Sequence, residues 1–201
     1  MSDIHASLGE TEYGQTLSDN VRFGRFKPDE IPNQEWIEAL GPDVDNYKHM
    51  EYTANLAAWY IYEADRLGVP LSEEDQKLLI LTAYVHDFAE AIDGDVPDPY
   101  KDHSDDAKAK EKRSFITVAR TVVEDPEALG ALVFPVMYGG SPLARDFRAI
   151  EIIGYAETAK QAGKVTGEAY GKLYDEVLPN SLAMLEEYKD LKVVNNYLKE
   201  Q

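Results

Sequence analysis

Apolar residues recur at three- and four-residue steps along most of this chain, which is the spacing of one face of an α-helix. No segment shows sustained two-residue alternation bounded by turn signals, so no strand is predicted. Capping residues, glycine and proline divide the pattern into separate helices. The predicted helices cover residues 33–40, 45–67, a segment that starts after Ser72 and includes 78–92, then 107–123, 126–136, a segment from Ser141 to Gly163, and 166–198 as one or two helices interrupted near Pro179.

This pattern predicts an all-α fold, a single bundle of about six or seven helices. The length of 201 residues fits one domain. Residues 1–30 are polar, contain glycine and lack a clear period, so they are predicted to form a partly ordered N-terminal arm. Residues 31–201 are predicted to form the domain itself.

The charge and the residue types narrow the classes of partner. The chain has 20 Lys and Arg against 38 Asp and Glu, a formal charge of -18, which disfavours duplex nucleic acid as a partner. It contains no cysteine, so a transition metal would have to be bound by histidine and carboxylate groups. No apolar run approaches the roughly 20 residues that cross a bilayer, and residues 1–10 do not resemble a signal peptide. We therefore expect a cytoplasmic protein with no membrane partner.

The pair His86-Asp87 stands inside the apolar run LLILTAYVHDFAEAI, where a core helix would normally exclude both side chains. A buried carboxylate is costly unless it is paired or bound to a metal ion. An isolated His-Asp pair of this kind is more often a core histidine beside a salt-bridged aspartate. A second histidine on a neighbouring helix favours a metal site instead.

His49 is such a residue, because it shares a predicted helix face with Tyr52, Thr53, Leu56 and Tyr60. The 37 residues between His49 and His86 suffice for a helix, a turn and a return.

Glu157 continues an apolar stripe of the helix after Ser141 and is the best candidate for a fourth ligand. If Glu157 points away, Asp146 or Glu151 could take its place. The predicted metal ligands are therefore His49, His86, Asp87 and Glu157.

A separated histidine, a His-Asp doublet and a distal acid together resemble the HD-domain superfamily of metal-dependent phosphohydrolases. The run His86-Asp87-Phe88-Ala89-Glu90-Ala91-Ile92-Asp93-Gly94-Asp95-Val96-Pro97 is similar to the HDxxE…GDxP signature of its 5′-deoxynucleotidases. The resemblance covers roughly residues 45 to 165. It departs at the distal ligand, where the family usually has aspartate, and before His49, where an ESVxEH-like run is common.

The resemblance implies an all-α HD domain that binds one divalent ion (Mn, Co, Fe, Ni, Zn or Mg) and uses Glu90 and Asp95 in catalysis. Glu90 follows Asp87 by one helical turn and could activate water. Asp95 could act as a general acid or an orienting carboxylate. Without a metal site, both would be ordinary solvated residues at a helix end.

Binding of a phosphate requires cations, and the run VRFGRFK offers them. The resemblance favours Arg22 or Arg25 as substrate-binding residues, with Phe23 or Phe26 stacking on a base. The alternative is that these arginines only balance an acidic surface. A second basic group follows the motif loop and comprises Lys108, Lys110, Lys112 and Arg113.

The resemblance predicts a divalent-metal-dependent phosphohydrolase that acts on small nucleotides, most simply a (deoxy)nucleoside 5′-monophosphatase. A dNTP triphosphohydrolase that releases triphosphate is the main alternative. A catalytically inactive nucleotide-sensing module is the alternative from another class. Dimers are common among the resembled enzymes, so a homodimer is also compatible with the sequence.

Overall fold

The computed structural model describes residues 2–41, 45–94 and 104–201. Within these ranges the protein is all-α, as predicted, with ten helices of eight or more residues and one four-residue helix. Short 3-10 helices occur at Gly24–Phe26 and Glu186–Tyr188. The α-helices are α1 (Ser2–Gly9), α2 (Glu12–Asp19), α3 (Asn33–Leu40), α4 (Asn46–Arg66), α5 (Glu73–Val85), α6 (Glu90–Asp93), α7 (Asp105–Ala119), α8 (Pro126–Tyr138), α9 (Pro142–Ala162), α10 (Glu168–Leu185) and α11 (Lys192–Lys199).

Local capping explains where most of these helices begin. At each of six starts, a side-chain oxygen accepts a hydrogen bond from the backbone N–H three residues further on, which satisfies one of the unpaired donors of the first turn. The predicted caps Ser72 and Ser141 are confirmed. The six capping residues are Thr11, Asp45, Ser72, Ser104, Asp125 and Ser141.

The centre of the bundle is formed by α4, α5 and α9, which pack against one another, while α10 covers the other side of α9. Small residues allow close helix contact at this centre: Ala57, Ala83, Ala149 and Ala156 are fully buried. Among the described residues, no helix is both long and apolar enough to cross a membrane.

Residues 2–26 contain more regular structure than the sequence pattern suggests, since they include α1, α2 and a 3-10 helix. Leu8 and Leu17 are fully buried and pack with Met50 and Phe88 in a second core cluster. His5 is buried as well, and its ring stacks on Tyr47. Few apolar residues mark these two short helices, so their order depends on packing against the bundle and has little local signal.

Two breaks differ from the predicted pattern. Helix α5 ends at Val85, and residues 86–89 form a turn before α6, where one continuous helix was expected. Pro179 lies inside α10 and does not interrupt it; the break comes after Leu185. The turn at residues 86–89 places the His86-Asp87 pair at a helix end.

Leu8→Ala should lower the free energy of unfolding by about 2–4 kcal/mol, because it empties a fully buried position. Leu132→Ala is the matched control, since Leu132 is 55% exposed, and should change this free energy by less than about 0.5 kcal/mol. Urea titration of both variants measures the difference. Equal stabilities would show that α1 does not belong to the folded core.

Candidate metal centre

Three potential metal ligands converge where α4 meets the turn after α5. His49 lies in the first turn of α4, and His86 and Asp87 lie in the turn at residues 86–89; all three are buried. The Nε2 atoms of the two histidines are 3.2 Å apart. Asp87 Oδ2 is 3.3 Å from His86 Nε2 and 3.6 Å from His49 Nε2. Three of the four predicted ligands are therefore brought together.

The spacing of these atoms fits a single small cation. The point equidistant from all three, in their own plane, lies about 2.0 Å from each, close to the about 2.0–2.2 Å of bonds from zinc to histidine nitrogen and carboxylate oxygen. Two imidazoles and a carboxylate are also a donor set that zinc and similar divalent ions accept. The residues present therefore fit a divalent metal ion.

The surroundings of His86 prepare it to act as a ligand. Its Nδ1 lies 2.9 Å from the carbonyl oxygen of Ala83, and a carbonyl can only accept, so Nδ1 carries the proton and Nε2 is left with its lone pair. Burial lowers the pKa of His86, and this effect outweighs the opposing charge of Asp87. A neutral imidazole with a free Nε2 lone pair is the form that binds metals.

Arg22 lies beside this group. Its Nη1 is 3.6 Å from Asp87 Oδ2, its side chain is buried, and its guanidinium carbon lies 5.8 Å from the centre of the Tyr155 ring. The backbone around Arg22 is held to the start of α4, because Val21 forms a bridge with Asp45. Of the two arginines predicted to bind substrate, Arg22 thus reaches the candidate site.

Arg25 does not reach the candidate metal centre. It is half exposed, its Nη2 is 3.9 Å from Glu176, and its guanidinium carbon lies 4.5 Å from the centre of the Phe26 ring. Phe23, which was predicted to stack on a base, makes an edge contact with Tyr155.

Glu90 is buried one turn after Asp87, and Asn46 Nδ2 donates a hydrogen bond of 2.5 Å to its Oε2. Asn46 is itself fully buried in the first turn of α4. The same helical turn therefore supplies the candidate metal ligand His49 and the residue that hydrogen-bonds to Glu90. The other predicted catalytic acid, Asp95, lies outside the described residues.

The structure does not bring Glu157 to the group formed by His49, His86 and Asp87. Its Oε1 accepts hydrogen bonds from Tyr197 and Lys160, at 2.6 and 2.7 Å, and its side chain faces α11. The acid of α9 that lies near His86 is Glu151, and both residues line a cavity that opens beside Asp87. Glu157 follows Glu151 by six residues, which is about 9 Å along the helix and a different face. These contacts favour Glu151 over Glu157 as the distal acid.

A cavity of about 450 Å³ opens at His86 and Asp87 and is also lined by Glu151. Three cations also line it: Lys108, Arg145 and Arg148. Lys108 was among the basic residues noted after the motif loop, whereas both arginines come from α9 and were missed. Arg148 and Glu151, whose Nη1 and Oε2 are 3.5 Å apart, form a charged pair on a helix with many buried residues. In the sequence, an arginine and a glutamate three residues apart in this helix are the signal that could have identified α9 as one wall of the cavity.

Comparison of the chain with protein-family models, with curated proteins and with solved structures found no match. Every inference about the function of this site therefore depends on its own residues and on the sequence pattern described above.

The purified protein should bind about one divalent ion per chain, as measured by elemental analysis. Asp87→Ala should remove most of this metal, because it deletes one of three ligands.

The two glutamates of α9 form a matched pair for the distal position. Glu151→Gln should weaken metal binding roughly 10- to 100-fold, as expected for a group that ligates or orients a ligand. Glu157→Gln should leave it unchanged, because this carboxylate is bound to Tyr197 and Lys160. Weakened binding in Glu157→Gln alone would restore the original prediction.

Proposed function

We propose that this protein is a divalent-metal-dependent phosphohydrolase that acts on small nucleotides, with (deoxy)nucleoside 5′-monophosphates as the leading substrates. One observation supports this most strongly. The donor atoms of His49, His86 and Asp87 lie 3.2–3.6 Å apart, and two of these residues, His86 and Asp87, line a cavity that also carries lysine and arginine side chains. Such a site offers a metal to activate water and cations to hold a phosphate.

Each residue has a distinct part in the proposed reaction. His49, His86 and Asp87 would hold the ion. When bound, a divalent ion lowers the pKa of water and neutralises charge on phosphoryl oxygens. Arg148 and Lys108 line the cavity and can bind the phosphate oxygens.

Glu90 is the candidate general base. It sits one turn after Asp87, is buried, and has one carboxylate oxygen held by Asn46. This hydrogen bond fixes the direction of the carboxylate, as is required of a general base that must act on one bound water molecule. This arrangement also argues against an inactive sensing module, which would have no need to bury and orient a second acid beside the metal ligands.

The charges around the cavity favour a monophosphate over a triphosphate. The charged residues lining its described part are Lys108, Arg145 and Arg148, together with Asp87, Glu111 and Glu151. Asp190 pairs with Arg145 and Arg22 lies beside Asp87, so these charges cancel when both partners are included. A bound divalent ion would leave a charge of about +2, which matches the roughly -1.5 to -2 of a phosphate monoester at neutral pH. A triphosphate carries more negative charge than this site would balance. The triphosphohydrolase alternative is therefore the less favoured one.

The deciding experiment is a substrate screen with metal-loaded protein against nucleoside mono-, di- and triphosphates, with products separated by chromatography. We expect inorganic phosphate and nucleoside from monophosphates. Release of inorganic triphosphate would instead support the alternative, and hydrolysis of nucleic acid but of no free nucleotide would contradict both.

Glu90→Gln should lower turnover by roughly 10²- to 10⁴-fold, because it keeps the shape of the side chain and removes the base. Metal content should stay near that of the wild type, since Glu90 is not among the three grouped ligands. Glu157→Gln serves as the control for a similar change at a carboxylate outside the site. Near-normal turnover in Glu90→Gln would remove this residue from the mechanism.

A further inference from the structure

We propose that Tyr188 and Arg145 form a stacking subsite for a planar ring at the outer part of the cavity, so that the preferred phosphate esters are those that carry a nucleobase. This inference rests on the proposed function, which concerns the same cavity. It differs from the expectation that Phe23 or Phe26 holds the base, because neither of these residues lines the cavity.

The cavity extends along α9, away from His86 and Asp87. Arg145, Arg148 and Glu151 all line it and follow one another at three-residue steps. Arg145 therefore lies about 9 Å before Glu151 along the helix axis, in the first turn of α9. That length is comparable with the sugar and base of a single nucleotide. A phosphate held near Glu151 and Arg148 would direct its leaving group towards Arg145.

Arg145 is arranged to present its flat face to a ligand. Both of its terminal nitrogens donate to Asp190, at 2.8 and 2.7 Å, in a bidentate pair. This pair occupies the edge of the guanidinium that would otherwise grip a phosphate, and it neutralises the charge. The guanidinium carbon lies over the Tyr188 ring, and the surface of the group that this ring does not cover can accept another flat group.

Tyr188 adds a second flat surface at the same place. The guanidinium carbon of Arg145 lies 5.6 Å from the centre of the Tyr188 ring, and the ring is half-buried and lines the cavity. Met137 lines the cavity as well and supplies a polarizable apolar contact. Aromatic and guanidinium faces bind nucleobases by stacking without selecting one base over another. The chemistry of this wall therefore fits a base more closely than it fits a bare sugar phosphate.

The test is equilibrium binding of two non-hydrolysable phosphonates to the metal-loaded protein. One is the analogue of deoxyadenosine 5′-monophosphate and the other is the analogue of 2-deoxyribose 5-phosphate. Wild-type protein should bind the nucleotide analogue about tenfold more tightly, and Tyr188→Leu should remove most of this preference. Tyr188→Phe should keep it, because the ring remains. Tyr62→Leu is the control, since Tyr62 is 65% exposed and does not line the cavity.

Asp190→Ala gives a second variant in case Tyr188→Leu does not fold. It removes the carboxylate that holds the guanidinium of Arg145 in place. The preference for the nucleotide analogue should therefore fall several-fold, by a smaller factor than in Tyr188→Leu, where the ring itself is lost. A preference that persists in both variants, or that is absent from wild-type protein, would overturn the subsite.

The binding measurement also separates this inference from the proposed function. If the wild-type protein hydrolyses no nucleotide but shows the preference and loses it in Tyr188→Leu, the phosphohydrolase proposal fails and the subsite stands. If the protein hydrolyses nucleotides and sugar phosphates with equal kcat/KM and binds both analogues equally, the function stands and the subsite fails.

Discussion

The arrangement of this protein depends on one costly feature, the buried carboxylate of Asp87 beside two buried imidazoles. A carboxylate in a helical core is tolerated only when cations or hydrogen bonds compensate it. Arg22 Nη1 lies 3.6 Å from Asp87 Oδ2, and the spacing of the three donor atoms fits a bound cation as a second source of positive charge. The N-terminal segment, α4 and the turn after α5 each supply part of this compensation, so fold and site share the same residues.

The N-terminal segment shows how closely the two are connected. The carbonyl oxygen of Asn20 accepts a hydrogen bond from the backbone N–H of Asn46, which begins α4. Asn46 in turn holds Glu90, and His49 follows one turn later. Packing of α1 and α2 against the bundle therefore fixes the end of α4 that carries His49, a candidate metal ligand, and the contact of Asn46 with Glu90.

Local features could be predicted from the sequence because their causes are local. The caps at Ser72 and Ser141 and the inward faces of His49 and His86 depend on neighbouring residues and helical period. The acid of α9 that comes near His86 depends on how far that helix slides past α5, which no residue within α9 specifies. Glu157 satisfied the face pattern but lies about 9 Å beyond Glu151 along the axis. The order of α1 and α2 likewise arises from tertiary contacts.

The acidity of the chain and the charge of the cavity act over different distances. At physiological ionic strength, charges separated by more than about 8 Å are largely screened, so the net charge of -18 acts mainly on ligands that cover a large surface. A long polyanion would meet that repulsion along its whole length. A single phosphate inside the cavity would lie close to Arg148, Lys108 and the candidate metal ligands His86 and Asp87. These nearby charges would determine the electrostatic potential that it experiences. An acidic surface around a locally balanced cavity is thus consistent with a small anionic ligand and disfavours a polymeric one.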